Sequence, residues 1–289
     1  MQDLNKKVKG MKWFRRSLSP SEDGAEPGST PGMSKMPQAP GAGYFKRGFM
    51  KCAIMQPTYL PWLGYFALMG YVDKFVYLND VQFEKQSWQT RNRIKTKTGE
   101  QWLSVQKSAH SDRLIDDVIL VNKEHWTGKH LKSIGQNYRK AKYFDEVFPV
   151  LETLITNRID RLAGYNITII EGIAKRLCIK TERVKANKLD TIGDRCQRLI
   201  DICKVVDCDT YVSPPGSKDY MEDVFTDIEY FEFEHPEYEQ LHGEFISHLS
   251  IVDYLMHCGF QRGFNGWTGT KKEDLQKTTQ VGQAGQKEA

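Results

Sequence analysis

The chain has 289 residues, 39% of them hydrophobic and 27% charged, with a formal net charge of +4. That length suits one large domain or two small ones, and no apolar run approaches the roughly 20 residues that span a bilayer. The positive excess sits at the ends: residues 1–49 carry 9 Lys/Arg against 4 Asp/Glu, residues 262–289 carry 5 against 3, and the body carries 27 against 30. A domain built for nucleic acid is basic in its body, so no nucleic-acid partner is expected.

In chain order, Met1–Arg16 is charged with no apolar core after it, so no signal peptide is expected. Its basic and aromatic residues (Lys6, Lys7, Lys9, Lys12, Trp13, Phe14, Arg15, Arg16) form either a solvated tail or a contact for a membrane or an anionic partner. Residues 18–43 are rich in Pro, Gly, Ser and Ala and cannot bury enough apolar surface to offset their ordering entropy. Residues 1–49 are therefore expected to be a disordered extension, and 262–289 a second loose tail. The domain between them is expected to run from 50 to 261.

Within it, strands are predicted at Lys51–Met55, Lys74–Leu78, Gln101–Val105, Asp117–Val121, Thr181–Lys185, Thr210–Ser213 and Tyr230–Glu234. Helices are predicted at Leu63–Met69, Lys123–Lys140, Glu146–Asn157, Ile159–Leu177, Asp194–Val206 and Ile251–Cys258. Cys196, Leu199, Ile200 and Cys203 mark one apolar face, and Ser250 with Asp253 reads as a capping box closed by Gly259. The alternation predicts an α/β domain: a mainly parallel sheet flanked by helices, with a helical central insertion. The six cysteines (52, 178, 196, 203, 208, 258) contain no C-x-x-C and are expected as free, mostly buried thiols.

The stretch from Cys52 to Arg93 holds the most candidate chemistry. Pro57 ends the first strand at Gln56, and Pro61 suits the first turn of the next helix. Strand, loop and helix start together make a cradle for a polar ligand, yet the loop lacks both G-x-x-x-x-G-K and G-x-G-x-x-G. Gln56 is a candidate ligand contact. Tyr59 and Trp62 are either ligand-facing or core aromatics. After the second strand, Asp80 is a candidate general base, metal ligand or hydroxyl acceptor, or else a turn or cap residue. Asn92 and Arg93 complete the candidate catalytic set, with Arg93 able to hold a carboxylate or phosphate. Gln82 and Trp88, in the same loop, join as substrate contacts. Ser213 and Gly216, in S-P-P-G-S-K, offer donors to an anion or form an ordinary connector. His235, His242 and His248 lack a helical zinc spacing, so no metal site is expected and hydrogen-bonded or surface imidazoles are.

Several motifs occur in order between about Met50 and Gly259: M-K-C-A-I-M-Q-P-T-Y-L-P-W-L-G-Y-F, V-D-K-F-V-Y-L-N-D-V-Q-F, R-N-R-I-K, T-Y-V-S-P-P-G-S-K-D-Y and H-L-S-I-V-D-Y-L-M-H-C-G. Together they resemble the WbqC-like proteins. The resemblance implies a cytoplasmic role in bacterial O-antigen or other surface-polysaccharide biosynthesis. The expected activity is a transferase adding glycine or another amino-acid or acyl group to an amino sugar, with an activated sugar as the small-molecule substrate. It names no cofactor. The alternatives are a non-catalytic sugar- or nucleotide-binding accessory protein, or a diverged nucleotidyltransferase lacking H-x-G-H. At Ser213-Pro214 the chain departs from the family's Ser-Gly, and proline removes a backbone donor there.

Overall fold

The computed structural model describes residues 49–108, 113–191, 195–214 and 227–260. The expected tails, Phe49 excepted, and Gly216 lie outside the described residues.

The core of the fold is a five-stranded, fully parallel sheet. Its strands are β1 (Lys51–Met55), β2 (Lys74–Tyr77), β5 (Glu182–Lys185), β6 (Thr210–Ser213) and β7 (Ile228–Tyr230), in the order β5-β2-β1-β6-β7. β1 is central: Cys52 pairs with Lys74 of β2 and with Tyr211 of β6. A parallel sheet needs both faces covered, and the strands read accordingly. Ala53, Phe75, Tyr77, Val212 and Phe231 face a large helical layer. Cys52, Ile54, Val76, Leu78 and Tyr211 face α5 (Arg195–Val205), through Leu199, Ile202 and Cys203. Helix α1 (Leu63–Tyr71) links β1 to β2, and Leu63 to Met69 are all buried; a helix that is apolar all round belongs in a core.

Neighbours β2 and β5 are separated in sequence by the insertion. It contains a hairpin, β3 (Arg91–Thr96) with β4 (Gly99–Ser104), and helices α2 (Lys123–Tyr138), α3 (Phe144–Ile155) and α4 (Leu162–Arg176). The last helix, α6 (Ile251–Cys258), packs on the same layer. Six α-helices flank the sheet among the described residues, and none is long and apolar enough to cross a membrane.

Three local expectations are corrected. Residues 91–93 are not loop but the start of β3. The predicted strand Asp117–Val121 is instead a 3-10 turn at Ile115–Asp117 followed by single bridges, Lys107 to Leu120 and Ile119 to Arg161. The predicted strand Tyr230–Glu234 ends at Tyr230. The capping box at α6 is half formed. Ser250 Oγ accepts from the Val252 N–H at 3.3 Å, but the Ser250 N–H donates to the Arg93 carbonyl and the Asp253 carboxylate turns inward. That fully buried carboxylate takes Tyr138 Oη at 2.7 Å, Tyr238 Oη at 2.9 Å and Gln240 Nε2 at 2.8 Å, so it ties the irregular stretch before α6 to the helical layer. All six cysteines are free; Cys178 is exposed, while Cys52 and Cys203 are buried with their sulfurs 3.4 Å apart.

Candidate functional site

The loop from Gln56 to Trp62 leaves the carboxyl end of β1. A loop carries backbone groups that need partners, and here side chains supply them. Tyr65 Oη donates to the Gln56 carbonyl, and Asn166 Nδ2 to those of Pro57 and Gln89. Asn92 Nδ2 donates to the carbonyls of Tyr59 at 3.2 Å and Leu60 at 2.7 Å. The Tyr59 N–H donates to the Trp88 carbonyl, and the Ile251 N–H to that of Pro61. Leu60 is held at φ +43, a left-handed conformation that a branched residue adopts only under external support. The loop is a fixed floor rather than a mobile flap.

Trp62 closes the floor. A Cβ on Gly64 would lie 2.2 Å from the Trp62 ring, so only glycine lets the indole lie flat on the first turn of α1. The indole stacks on His248 with centroids 4.8 Å apart and meets Phe233 edge-on at 5.4 Å. His235 and His248 are 5.2 Å apart. Burial, then the proximity of the His235 ring and the Arg93 guanidinium, holds His248 down to about 4; burial also lowers His235. Both imidazoles are therefore neutral near pH 7.

Beside this floor lie three of the expected residues. Gln56 Oε1 accepts from Gln89 Nε2 at 2.8 Å. Trp88, next in sequence to Gln89, places its half-buried indole 5.5 Å from the Arg93 guanidinium. Arg93 Nη1 donates to both carboxylate oxygens of Glu100, at 2.9 and 2.7 Å, and Nη2 reaches the His248 carbonyl at 3.4 Å. Its Nε is buried with no hydrogen bond. Gln82 is exposed, its backbone bridged to Leu114, and no contact ties it to these three side chains.

The others are placed differently. Asn92, 2% exposed, lies beneath the site and holds the floor. Tyr59 is fully buried: its hydroxyl bonds to His130 Nδ1 at 2.9 Å and its ring stacks on Tyr165. Burial holds His130 down to about 4. Ser213 is 1% exposed, with Oγ 3.5 Å from Tyr211 Oη. Asp80 faces α5, where its Oδ2 meets Arg198 Nη2 at 2.6 Å. The two side chains are only 17% and 16% exposed, and Asp80 Oδ1 and Arg198 Nε have no hydrogen bond. The neighbouring Asn79 Oδ1 accepts from the Asn187 N–H, and Asn187 Nδ2 donates to Asp116. Asp80 thus anchors a second polar cluster at the same end of the sheet.

Sequence reasoning missed Arg198, Gln89 and Glu100, and read His248 only as a hydrogen-bonded or surface imidazole. Arg198, Gln89 and His248 act through partners distant in sequence, whereas Glu100, seven residues from Arg93 across the hairpin, had a local signal. Among the described residues no group of three or more His, Cys, Asp or Glu side chains is suited to a metal ion. Two open hollows, of about 580 and 380 Å³, are lined by the start of α2 and by α2 with α3, and include none of these side chains. The site is a polar and aromatic surface at the strand ends.

The family model of the WbqC-like proteins matches residues 56–263. The uncharacterized protein Rv1507c of Mycobacterium tuberculosis is 30% identical over 218 residues, covering 72% of this chain and 94% of that protein. No solved structure matches the chain. The matched residues contain the whole strand-end surface, from Gln56 through Arg93 to His248, and the chain belongs to the WbqC-like protein family.

Proposed function

We propose that this protein is a cytoplasmic transferase of surface-polysaccharide biosynthesis that moves glycine or another amino-acid or acyl group onto the amino group of a sugar. The observation that carries the reading is the Gln56–Gln89 amide pair beside Trp88 and Arg93 at the carboxyl end of the central strand. The order β5-β2-β1-β6-β7 makes that end a switch point: the chain works outward from β1 on one side and returns to its other side at β6. Amides, an indole face and a guanidinium suit a hydroxylated ring that carries an anionic substituent.

The roles follow from position. Arg93 exchanges the Glu100 carboxylate for the anionic group of the ligand, Gln56 orients hydroxyls, and Trp88 stacks on the ring. The sugar amine attacks the carbonyl carbon of an activated donor; a C–N bond forms, the bond to the donor's leaving group breaks, and the amine gives up a proton. Asp80, in the second cluster at the same end of the sheet, is the residue we assign to accept that proton; Arg198 holds its Oδ2, and its Oδ1 is buried with no hydrogen bond. A second reading has its own observation. The 2.6 Å ion pair with Arg198 occupies Asp80 Oδ2 and turns the carboxylate toward α5, which favours a non-catalytic sugar-binding accessory protein.

A thermal-shift screen with nucleotide sugars, followed by turnover with glycyl and acyl donors, tests both. Arg93→Ala removes the ligand-induced shift, while Asp80→Asn keeps it and loses turnover. An Asp80→Asn variant that turns over at the native rate removes Asp80 from the chemistry. Ligand binding with no turnover from any donor selects the accessory protein, and no shift with any sugar or nucleotide sugar refutes both readings.

A further inference from the structure

The proposed site continues onto the outer face of the β3–β4 hairpin. In register, Arg91 lies opposite Ser104 and Arg93 opposite Trp102; with a period of two, these share one face while Asn92, Ile94 and Leu103 point to the core. Trp102 is 44% exposed, an unusual position for the largest apolar side chain. The Arg91 guanidinium stands 4.4 Å from its ring centroid and has no ion pair or hydrogen bond among the described residues. Arg93 lies 5.6 Å from the same ring, and Trp88 packs 5.5 Å from Trp102 at 41°. At its other end Arg93 meets the His248 carbonyl, and His248 stacks on Trp62. Two guanidinium groups and a set of rings are therefore linked contact by contact from Arg91 to Trp62.

We infer that this strip, Arg91–Trp102–Arg93–Trp88–His248–Trp62, is a track for an oligosaccharide chain bearing anionic groups. The acceptor sugar is then one unit of a chain and not a free monosaccharide. The inference rests on the sugar-directed reading above and specifies its substrate class. A single ring needs one platform and one anchor, which Trp88 and Arg93 supply; the exposed Trp102 indole and the Arg91 guanidinium, unpaired among the described residues, add a second platform and a second anchor beside them. Aromatic platforms in a cationic groove also suit single-stranded nucleic acid. The body of the chain, with 27 basic against 30 acidic residues, argues for the saccharide, because a nucleic-acid domain concentrates positive charge.

The test is calorimetric titration of the full chain with di-, tetra- and hexasaccharides of alternating glucuronate and N-acetylglucosamine. Neutral N-acetylglucosamine oligomers of the same lengths and a pyrimidine oligonucleotide serve as controls. Affinity for the glucuronate series rises with length and falls with salt. Trp102→Ala and Arg91→Ala each weaken the hexasaccharide roughly tenfold, leave the disaccharide unchanged and leave the melting temperature unchanged. Length-independent affinity, indifference to both substitutions, or tighter binding of the oligonucleotide overturns the track. If the track fails while a nucleotide sugar still raises the melting temperature through Arg93, the reading of the central site survives. If no sugar of any kind binds, both fall.

Discussion

Asn92→Ala separates a residue that performs chemistry from one that shapes the site. Asn92 sits with 2% of its surface exposed, donates to the carbonyls of Tyr59 and Leu60, and accepts from the Arg93 N–H at 2.8 Å. Alanine leaves three backbone groups without these partners in a place water does not reach. At about 1 kcal/mol each, the low end for an unsatisfied buried group, the loss is about 3 kcal/mol. Release of the left-handed Leu60 gives some of this back by relaxing the backbone, but it also displaces the loop that carries Gln56 and Trp62. For a domain of this size each kcal/mol lowers the melting temperature by about 2–4 °C, so a fall of about 6–12 °C is expected, with sugar affinity reduced in parallel. Asn92→Asp keeps the acceptor, loses both donors and buries a carboxylate, so it falls at least as far. Differential scanning calorimetry alongside ligand titration reads both quantities. A variant that melts within about 3 °C of the native protein and still loses all turnover refutes the structural assignment and returns Asn92 to the chemistry.

His130, held near 4 in the fold against an ordinary 6.5, binds protons more readily when unfolded. Its contribution to stability is present in full above pH 6.5 and is lost as pH falls from 6.5 towards 4, on the order of 3 kcal/mol in all. Chemical denaturation across that window, compared with His130→Gln, shows the native curve falling more steeply; parallel curves contradict the assignment. Gly64→Ala is expected to destabilise by about 1–3 kcal/mol and to change Trp62 fluorescence, because the new methyl occupies the ring's place. An increase in melting temperature, as an open helical site gives with alanine, shows that the indole does not lie there.

How much of this was legible depends on whether buried positions carry apolar residues. K-C-A-I-M and K-F-V-Y are apolar runs, and β1 and β2 stand where those runs predict. The segment R-N-R-I-K-T hid a strand because its buried positions include Asn92, Lys95 and Thr96, polar residues satisfied by distant groups. Lys95 Nζ, for instance, donates to Gln240 Oε1 and to the carbonyls of Gly243 and Glu244. D-D-V-I-L-V ends in an apolar run like that of a buried strand, yet the chain there turns through Ile115–Asp117 and finds only single bridges. At the site, Pro57 and Pro61 announce a constrained loop and helix start, whereas the need for glycine at position 64 shows only in the packed Trp62 ring. Nothing near Asp80 announces Arg198, and nothing near Arg93 announces His248, since each pairing depends on tertiary contacts between segments far apart in the chain.

The place of β1 in the middle of the sheet has a kinetic consequence. Lys51 pairs with Thr210, so β1, the first of the described strands, gains its second neighbour only after the insertion and α5 have been made. Contacts so remote in sequence slow folding, because loop closure is unfavourable until they form. Until β6 arrives, β1 presents a row of open backbone groups along an apolar edge, which invites pairing with another nascent chain. The β3–β4 hairpin and helices α2–α4 are built from nearer neighbours and form early by comparison. Truncation before residue 210 is therefore expected to yield aggregates rather than a smaller soluble domain.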